Sequence, residues 1–231
     1  MEYRNLGKSG LKVSEIGLGS LEFGGRLNEQ ESISVINQAL ELGINFIDTA
    51  DVYNNGRSEE FVGKAVKGRR SKVIIATKFG ISTGEYPNDY GGSRAHIIAA
   101  IESSLKRLAT EYVDLYYIHW PDPTTPIEET LRTLDALVSA GKVRYTACSN
   151  FAAWQLCEAL WTSRANNLEA FMGVQTRYNL LDRSIESELV PCCQRYGVGV
   201  IPWGPLAEGF LTGKYQRGKP LPAGTRLGSP R

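Results

Sequence analysis

Short apolar runs alternate with longer stretches of mixed polarity along most of the chain. The mixed stretches repeat apolar residues every three or four positions, as in a helix with one buried face, and the short runs are typical of strands. The predicted strands are Glu15–Gly19, Ile44–Asp48, Lys72–Thr77, Val113–Ile118, Val143–Ala147, Phe171–Gln175 and Val198–Pro202. The predicted helices cover residues 28–42, 58–67, 93–108, 126–140, 152–163 and 184–196. Residues 2–13 predict a hairpin that turns at Gly7–Gly10.

Strands that alternate with helices of this length favour a parallel sheet built from βαβ units. The strands are apolar at successive positions, as in Val73–Ala76, which indicates that both of their faces are buried. Seven such units in a row favour an α/β fold of the (β/α)8 TIM-barrel class, with an N-terminal hairpin, over a doubly wound sheet. No linker or change of composition precedes about residue 213, so we expect residues 1–231 to form a single domain.

The eighth βα unit of such a barrel is missing from the pattern. Residues 213–231 are rich in glycine, proline and basic residues, which is typical of a loop. A barrel of seven strands would leave unpaired strand edges on both sides of a gap, and such edges promote aggregation. We therefore expect that the native polypeptide continues beyond Arg231.

Charge and cysteine content exclude several functions. The 26 basic and 25 acidic residues nearly cancel, so no general attraction to nucleic acid or to an anionic membrane is expected. No apolar run approaches the roughly 20 residues that span a bilayer, and the N-terminus lacks the apolar region of a signal peptide. The cysteines (Cys148, Cys157, Cys192, Cys193) lack metal-ligand spacing, and there are only two histidines. We expect reduced thiols, a cytoplasmic location and no metal site.

Four residues at predicted strand ends carry the candidate chemistry: Asp48, Tyr53, Lys78 and His119. Barrel active sites lie where the carboxyl ends of the strands converge, so the four side chains are expected to share one pocket. Reduction of a carbonyl needs a proton donor for the developing alkoxide. Tyr53 can donate if Lys78 lowers its pKa from about 10, while Asp48 holds Lys78 and His119 orients the substrate or relays a proton. Taken singly, each residue also has an ordinary interpretation: a turn or cap for Asp48, a loop aromatic for Tyr53, a solvated strand-end charge for Lys78 and a hydrogen-bonded, partly buried histidine for His119.

Several segments together resemble the aldo-keto reductase family. They are residues 46–59 (FIDTADVYNNGRSE), 75–80 (IATKFG), 113–122 (VDLYYIHWPD), 141–151 (GKVRYTACSNF), 175–181 (QTRYNLL) and 202–215 (PWGPLAEGFLTGKY). The resemblance runs from residue 2 to the C-terminus. It implies an NADPH-dependent reductase that converts aldehydes and ketones to alcohols, with Tyr53 as general acid, Asp48 and Lys78 tuning it, and His119 orienting the substrate.

The same resemblance implies where the cofactor binds. Ser149, Asn150 and Gln175 match positions that hydrogen-bond the nicotinamide carboxamide, and Trp203 matches the ring that stacks on the nicotinamide. The loop near the pyrophosphate matches Gly204, Pro205, Leu206 and Gly209, with Lys214 as a weaker candidate. In the family, the group that reads the adenosine 2′-phosphate comes after the strand predicted here at Val198–Pro202, beside the eighth strand of the barrel, and so lies outside this chain. NADH is therefore not excluded beside NADPH.

Two other functions remain open. The family includes potassium-channel β-subunits, whose N-terminal region resembles residues 3–11, so a non-catalytic NADP(H)-binding regulatory subunit is an alternative. The resemblance implies asparagine in that branch where this chain has His119, which favours an enzyme. A sugar-phosphate barrel enzyme fits the fold alone, but gives the tyrosine and lysine no role.

The expected partner is a small carbonyl compound. Its pocket is expected to be shaped by the loops at residues 20–28, 79–92 and 120–126, which carry Phe23, Tyr86, Tyr90 and Trp120. These aromatic residues would also suit the anchoring of the loops. The physiological carbonyl and the oligomeric state are not encoded in these patterns.

Overall fold

A curled sheet of seven parallel strands forms the centre of this computed structural model, which describes residues 1–228. The strands follow one another around the sheet in chain order, so each βα unit adds the next neighbour. They are β3 (Leu18–Gly19), β4 (Phe46–Asp48), β5 (Ile74–Phe79), β6 (Val113–Ile118), β7 (Val143–Ser149), β8 (Gly173–Arg177) and β9 (Gly199–Trp203). The architecture is that of a (β/α)8 barrel with its eighth unit absent from the described residues, as the sequence predicted.

Helices connect the strands and cover the outer face of the sheet. They are α1 (Glu29–Glu41), α2 (Arg57–Ala65), α3 (Arg94–Leu108), α4 (Ile127–Ser139), α5 (Ala153–Asn166) and α6 (Leu189–Tyr196). The capping pair predicted at the start of α1 is present: the Asn28 side chain accepts from the Glu31 N–H, and the Glu31 carboxylate accepts from the Asn28 N–H. Ser93 caps α3 in the same manner, since its side chain accepts from the His96 N–H.

Two apolar layers lie on the two faces of the sheet. The larger layer packs the helices against outward-facing strand residues such as Ile75, Tyr116 and Val174. The smaller layer fills the inside of the curl with Ala76, Leu115, Tyr117 and Ala147, among others. Because both faces are buried, the strands need apolar residues at successive positions.

The N-terminal hairpin, β1 (Tyr3–Asn5) and β2 (Lys12–Ser14), is antiparallel and closes the inner layer at the amino ends of the strands. Leu6 reaches the inner layer, and the Lys8 N–H donates to the Gly197 carbonyl over 2.8 Å. Gly7 has a φ of +54°, and a Cβ there would meet the Gly197 carbonyl oxygen at 2.5 Å. The turn therefore requires glycine at position 7.

The boundaries of several elements differ from the predictions. The long helix predicted over residues 184–196 is a 3-10 turn, Ser184–Glu186, followed by α6 from Leu189, because Glu188 at φ −135° interrupts the helix. The predicted strand at 15–19 pairs only at Leu18–Gly19. By contrast, β5 and β7 extend two residues further than predicted, so Lys78 and Ser149 lie inside strands rather than just beyond them.

The two outer strands of the sheet are β3 and β9. Residues 213–228 form turns with neither helix nor strand, as predicted for this stretch, and residues 229–231 of the predicted loop lie outside the described residues. Within residues 1–228, no helix has the length and apolar character needed to cross a bilayer.

Candidate active site

The side chains of Asp48, Tyr53 and Lys78 meet at the carboxyl ends of β4 and β5. Lys78 Nζ donates to Asp48 Oδ1 over 2.5 Å and to the Thr49 carbonyl over 2.8 Å, and lies 3.4 Å from the Tyr53 hydroxyl. The Lys78 side chain is fully buried, and that of Asp48 is 13% exposed. The lysine is thus held by a carboxylate and a carbonyl with its remaining contact directed at the phenol.

A tight turn after β4 places Tyr53 there. Residues 53–56 form a 3-10 turn in which Asn54 and Asn55 have positive φ values of 51° and 57°. Asparagine tolerates this left-handed conformation better than most residues. The Asn54 amide also donates to the Leu21 and Phe23 carbonyls, both over 2.8 Å, which ties the turn to the loop after β3.

His119 follows β6 and completes the group. Its ring stands edge-on to the Tyr53 ring, with 5.9 Å between the ring centroids. Its backbone N–H donates to the Phe79 carbonyl over 2.8 Å, and its side-chain Nδ1 is buried with no hydrogen-bond partner among the described residues. The structure therefore brings together all four residues that the sequence singled out, and leaves a ring nitrogen of His119 unpaired.

Burial has the largest effect on the pKa of the Tyr53 phenol. It raises the pKa of Tyr53 above its usual 10.0, and Lys78 lowers that pKa by a smaller amount. The expectation that Lys78 would bring the pKa of Tyr53 below its usual value is wrong in its net direction for this structure, although the contribution of Lys78 has the expected sign. Burial also acts to lower the pKa of Lys78, but Asp48 and Tyr53 outweigh it and the pKa is raised. The site thus holds a phenol and an ammonium at neutral pH.

The imidazole of His119 is neutral in the same range. Burial first, and Lys78 second, lower its pKa from 6.5 to about 3. A neutral imidazole can donate or accept one hydrogen bond at each nitrogen, but it brings no positive charge to a substrate oxygen. Of the two roles considered for His119, orientation of the substrate therefore suits the structure better than delivery of a proton from an imidazolium.

The residues matched to the nicotinamide lie beside this group and are hydrogen-bonded to it. Gln175 Nε2 donates to Asp48 Oδ2 over 2.8 Å, so Asp48 is shared between Lys78 and Gln175. Asn150 Nδ2 donates to the Ser149 hydroxyl and to the His119 carbonyl, each over 3.0 Å. The exposed Trp203 donates through Nε1 to Asn150 Oδ1 over 3.0 Å.

The loop after β9 continues from Trp203 along the same edge. Gly204 and Gly209 have positive φ values of 64° and 91°, and the Gly204 carbonyl accepts from the Asn179 side chain over 3.0 Å. Pro205 and Leu206 are exposed between these glycines. The Lys214 side chain lies against Gly209, where a Cβ would come within 3.0 Å of Lys214 Nζ. The five loop residues matched to the pyrophosphate site thus lie on one loop, residues 204–214.

Sequence reasoning missed three groups near the site. The Thr49 carbonyl holds Lys78, the Arg177 guanidinium lies 5.8 Å from the centre of the Trp203 ring, and Asp51 is buried at 3% exposure. Arg177 comes two residues after Gln175 at the end of β8. This spacing was the sequence signal from which its position near the site could have been inferred. Phe23, considered for the substrate loop, is 3% exposed and belongs to the outer apolar layer. Tyr86, Tyr90 and Trp120 are exposed.

The sheet is a parallel barrel sheet, and its carboxyl edge carries an acid, a phenol, an amine and an imidazole. This combination defines a class of barrel proteins that can carry out acid–base chemistry at a carbonyl. Comparison with known proteins is more specific, since the model of the aldo/keto reductase family matches residues 15–227. The chain belongs to this family. Membership supports oxidoreductase activity on carbonyl compounds.

The similar proteins carry two kinds of name. A probable voltage-gated potassium channel subunit beta of Oryza sativa subsp. japonica is 43% identical, covering 98% of this chain and 70% of its own length. Versiconal hemiacetal acetate reductase of Aspergillus parasiticus is 41% identical, over 91% of this chain and 69% of its own length. Aldo-keto reductase YhdN of Bacillus subtilis (strain 168) is 41% identical, over 93% and 65%.

Proposed function

We propose that the protein reduces aldehydes or ketones to alcohols with NADPH, and that Tyr53 is the general acid. The observation that carries the proposal is the contact of the buried Lys78 ammonium with both the Asp48 carboxylate and the Tyr53 hydroxyl. An ammonium 3.4 Å from the phenol stabilises the phenolate that remains after the proton has left. Burial keeps Tyr53 protonated until a substrate oxygen gains negative charge.

Each of the other residues has a role in the same step. Asp48 fixes Lys78, and Gln175 holds the second oxygen of Asp48, so the ammonium cannot swing away from the phenol. The neutral His119 ring stands beside the Tyr53 ring and orients the carbonyl oxygen toward the phenol by a hydrogen bond. Donors aimed at the position where charge develops are the largest source of rate enhancement in many enzymes.

The residues beside the group suit a nicotinamide. The hydroxyl of Ser149 and the amides of Asn150 and Gln175 supply the donors and acceptors that a carboxamide requires. The Trp203 ring is 37% exposed at the same edge and offers a flat face for stacking. The cofactor, when bound, supplies the hydride that the carbonyl carbon accepts. Gly204, Pro205, Leu206, Gly209 and Lys214 would hold its phosphates through backbone N–H groups and one cation. We propose NADPH from the family resemblance, without excluding NADH.

The substrate class follows from the surface around this edge. Tyr86, Tyr90 and Trp120 are 78%, 49% and 51% exposed on the two loops that follow β5 and β6. Exposed aromatic rings at the mouth of a site favour apolar or aromatic carbonyl compounds. A small-molecule carbonyl is therefore the proposed partner, acting in the cytoplasm, where the four free thiols would stay reduced.

Replacement of the proton donor tests the proposal. Tyr53→Phe should lower the rate of NADPH oxidation with a reactive aldehyde by roughly 10²- to 10⁴-fold, the usual contribution of general acid catalysis. Binding of NADPH, followed by fluorescence titration, should remain close to that of the wild type. Tyr3→Phe removes a hydroxyl at the opposite end of the barrel, where it donates to the Gly43 carbonyl, and should leave the rate unchanged. Wild-type turnover by Tyr53→Phe would contradict the assignment.

A second function is favoured by the names of the relatives from rice and Arabidopsis thaliana, both called probable voltage-gated potassium channel subunit beta. In this alternative the same site binds NADP(H) without turnover and the protein regulates a membrane partner. The presence of His119 argues for the enzyme. A stable complex with a channel protein, together with no turnover of any aldehyde or ketone, would favour the regulatory function instead.

A further inference from the structure

A buried carboxyl group, unused in the proposed step, lies two residues before Tyr53. Asp51 is 3% exposed, and neither of its carboxyl oxygens has a hydrogen-bond partner among the residues that the structure describes. Its backbone N–H donates to the Lys78 carbonyl over 3.2 Å, which fixes it directly behind the Lys78–Tyr53 contact. A carboxylate in such a place loses its hydration, and the backbone N–H of Val52 compensates for only part of that cost.

The charges around Asp51 do not compensate for this loss. Glu59, from α2, is fully buried, and its carboxylate accepts from Arg107 Nε and from the Thr77 hydroxyl, each over 2.6 Å. The single guanidinium that reaches this region from α3 is therefore already engaged by another acid. Asp51 is therefore a second buried carboxyl group beside the Glu59–Arg107 ion pair, in which the charges already balance.

The remaining neighbours complete the environment. Tyr116, from β6, has a buried hydroxyl with no hydrogen-bond partner within residues 1–228, and it interacts electrostatically with Asp51. On the side of the active site, the charge of Asp51 acts on two groups, Lys78 from β5 and Tyr53 on the turn after β4. The groups that face Asp51 are thus Glu59, Arg107, Lys78, Tyr116 and Tyr53.

A protonated Asp51 removes the conflict, because a neutral carboxyl needs no counter-ion and can donate its own hydrogen bond. Burial, with a smaller contribution from Glu59, raises the pKa of Asp51 from 3.8 to about 7. Arg107, the backbone N–H of Val52 and Lys78 act in the opposite direction but do not outweigh these effects. Geometry and charge therefore agree that the proton is retained near neutrality.

We propose that Asp51 is a positioning residue that is protonated near neutral pH, and that its ionisation at higher pH places a negative charge behind Tyr53 and Lys78. This proposal rests on the proposed function for its effect on turnover, but not for the ionisation itself. The negative charge opposes formation of the Tyr53 phenolate, since Asp51 acts to raise the pKa of Tyr53. Reduction, in which Tyr53 must give up its proton, becomes slower once Asp51 is ionised.

Infrared spectroscopy tests the ionisation without any activity. The whole protein, labelled with 13C at the aspartate carboxyl groups, is titrated from about pH 5 to about pH 9, a range in which ordinary aspartates stay ionised. We expect one protonated-carboxyl band that disappears through about pH 7 and that is missing from Asp51→Asn at every pH. Asp135→Asn is the matched control on α4, where the side chain accepts from the Glu169 N–H, and it should retain the band. Absence of the band from the wild type would overturn the proposal.

The pH dependence of turnover tests the link to Tyr53. In the wild type, kcat for aldehyde reduction should fall through an inflection near pH 7, and Asp51→Asn should lose this inflection and keep the rate of the low-pH plateau. The pKa of Tyr53, followed by NMR of 13Cζ-labelled tyrosine, should be lower in Asp51→Asn than in the wild type. An inflection that persists in Asp51→Asn overturns the proposal. If Asp51→Asn fails to fold, the same measurements are made on Asp51→Ser. If no carbonyl turns over, the proposed function fails, while the infrared and NMR titrations still decide the role of Asp51.

Discussion

Removal of the Arg107 guanidinium should destabilise the fold strongly, although Arg107 is not among the residues proposed to touch the substrate or the cofactor. Arg107 Nε donates over 2.6 Å to Glu59, whose side chain has no exposure, whereas the Arg107 side chain is 25% exposed. Arg107→Leu would leave the Glu59 carboxylate buried with only the Thr77 hydroxyl as donor. Breaking a buried ion pair by removing one partner costs about 3–5 kcal/mol. For a chain of this length that cost corresponds to a Tm lower by roughly 6–20 °C.

The control is an ion pair at the surface. Arg132 and Glu128 form an i,i+4 pair on α4 with side chains that are 45% and 48% exposed, and such pairs contribute about 0.5 kcal/mol or less. Urea denaturation and thermal melting of Arg107→Leu, Arg132→Leu and the wild type give the comparison. The double variant Glu59→Gln/Arg107→Leu should regain part of the loss, because no unpaired charge remains. Equal destabilisation by Arg107→Leu and Arg132→Leu would refute the reasoning.

Two further predictions concern stability. The pKa of Asp51 is about 7 in the folded protein and 3.8 for an unburied aspartate, so the folded state binds one more proton than the unfolded state between these pH values. The stability that Asp51 contributes is therefore full below about pH 4 and is lost as the pH rises to about 7. The loss amounts to up to about 1.4 kcal/mol per pH unit. Asp51→Asn should therefore gain in Tm over the wild type from pH 5 to about pH 8 in parallel melts, and a constant difference would contradict this. Gly7→Ala should cost more than about 1 kcal/mol, because position 7 has a φ of +54° and a Cβ would meet the Gly197 and Met172 carbonyl oxygens at 2.5 and 2.7 Å. Gly10→Ala, where a Cβ meets nothing within 4 Å, is the control in the same turn, and equal effects would count against the argument.

The order of elements and the four strand-end residues were predictable because they depend on local patterns. Apolar runs and helical spacing predicted the strands, and the position of Asp48, Lys78 and His119 at three successive strand ends follows from parallel topology alone. The break before α6 had a signal that the prediction did not use: Pro191 lies inside the predicted helix 184–196, where a proline removes a hydrogen bond, and in the structure it lies in the first turn of α6 instead.

The properties that depend on packing were not readable from the sequence. Burial of Tyr53 and Lys78 arises from residues far along the chain, and it reverses the expected direction of the shift in the pKa of Tyr53. Asp51 resembles an ordinary loop residue in the sequence, and its isolation becomes visible only when α2 and α3 bring Glu59 and Arg107 together beside it. The engagement of Arg107 by Glu59 is a contact across 48 positions, which no local pattern encodes.

Transfer of an isotope label shows whether hydride passes from the nicotinamide to a carbonyl carbon while Tyr53 supplies the proton. The protein is incubated with NADPH that carries deuterium at C4 of the nicotinamide, and with a panel of aromatic and aliphatic aldehydes and ketones. We expect an alcohol with deuterium on the former carbonyl carbon, formed by the wild type and by Tyr3→Phe and almost absent with Tyr53→Phe. An alcohol formed equally well by Tyr53→Phe, or no labelled alcohol from any compound of the panel, would contradict this expectation.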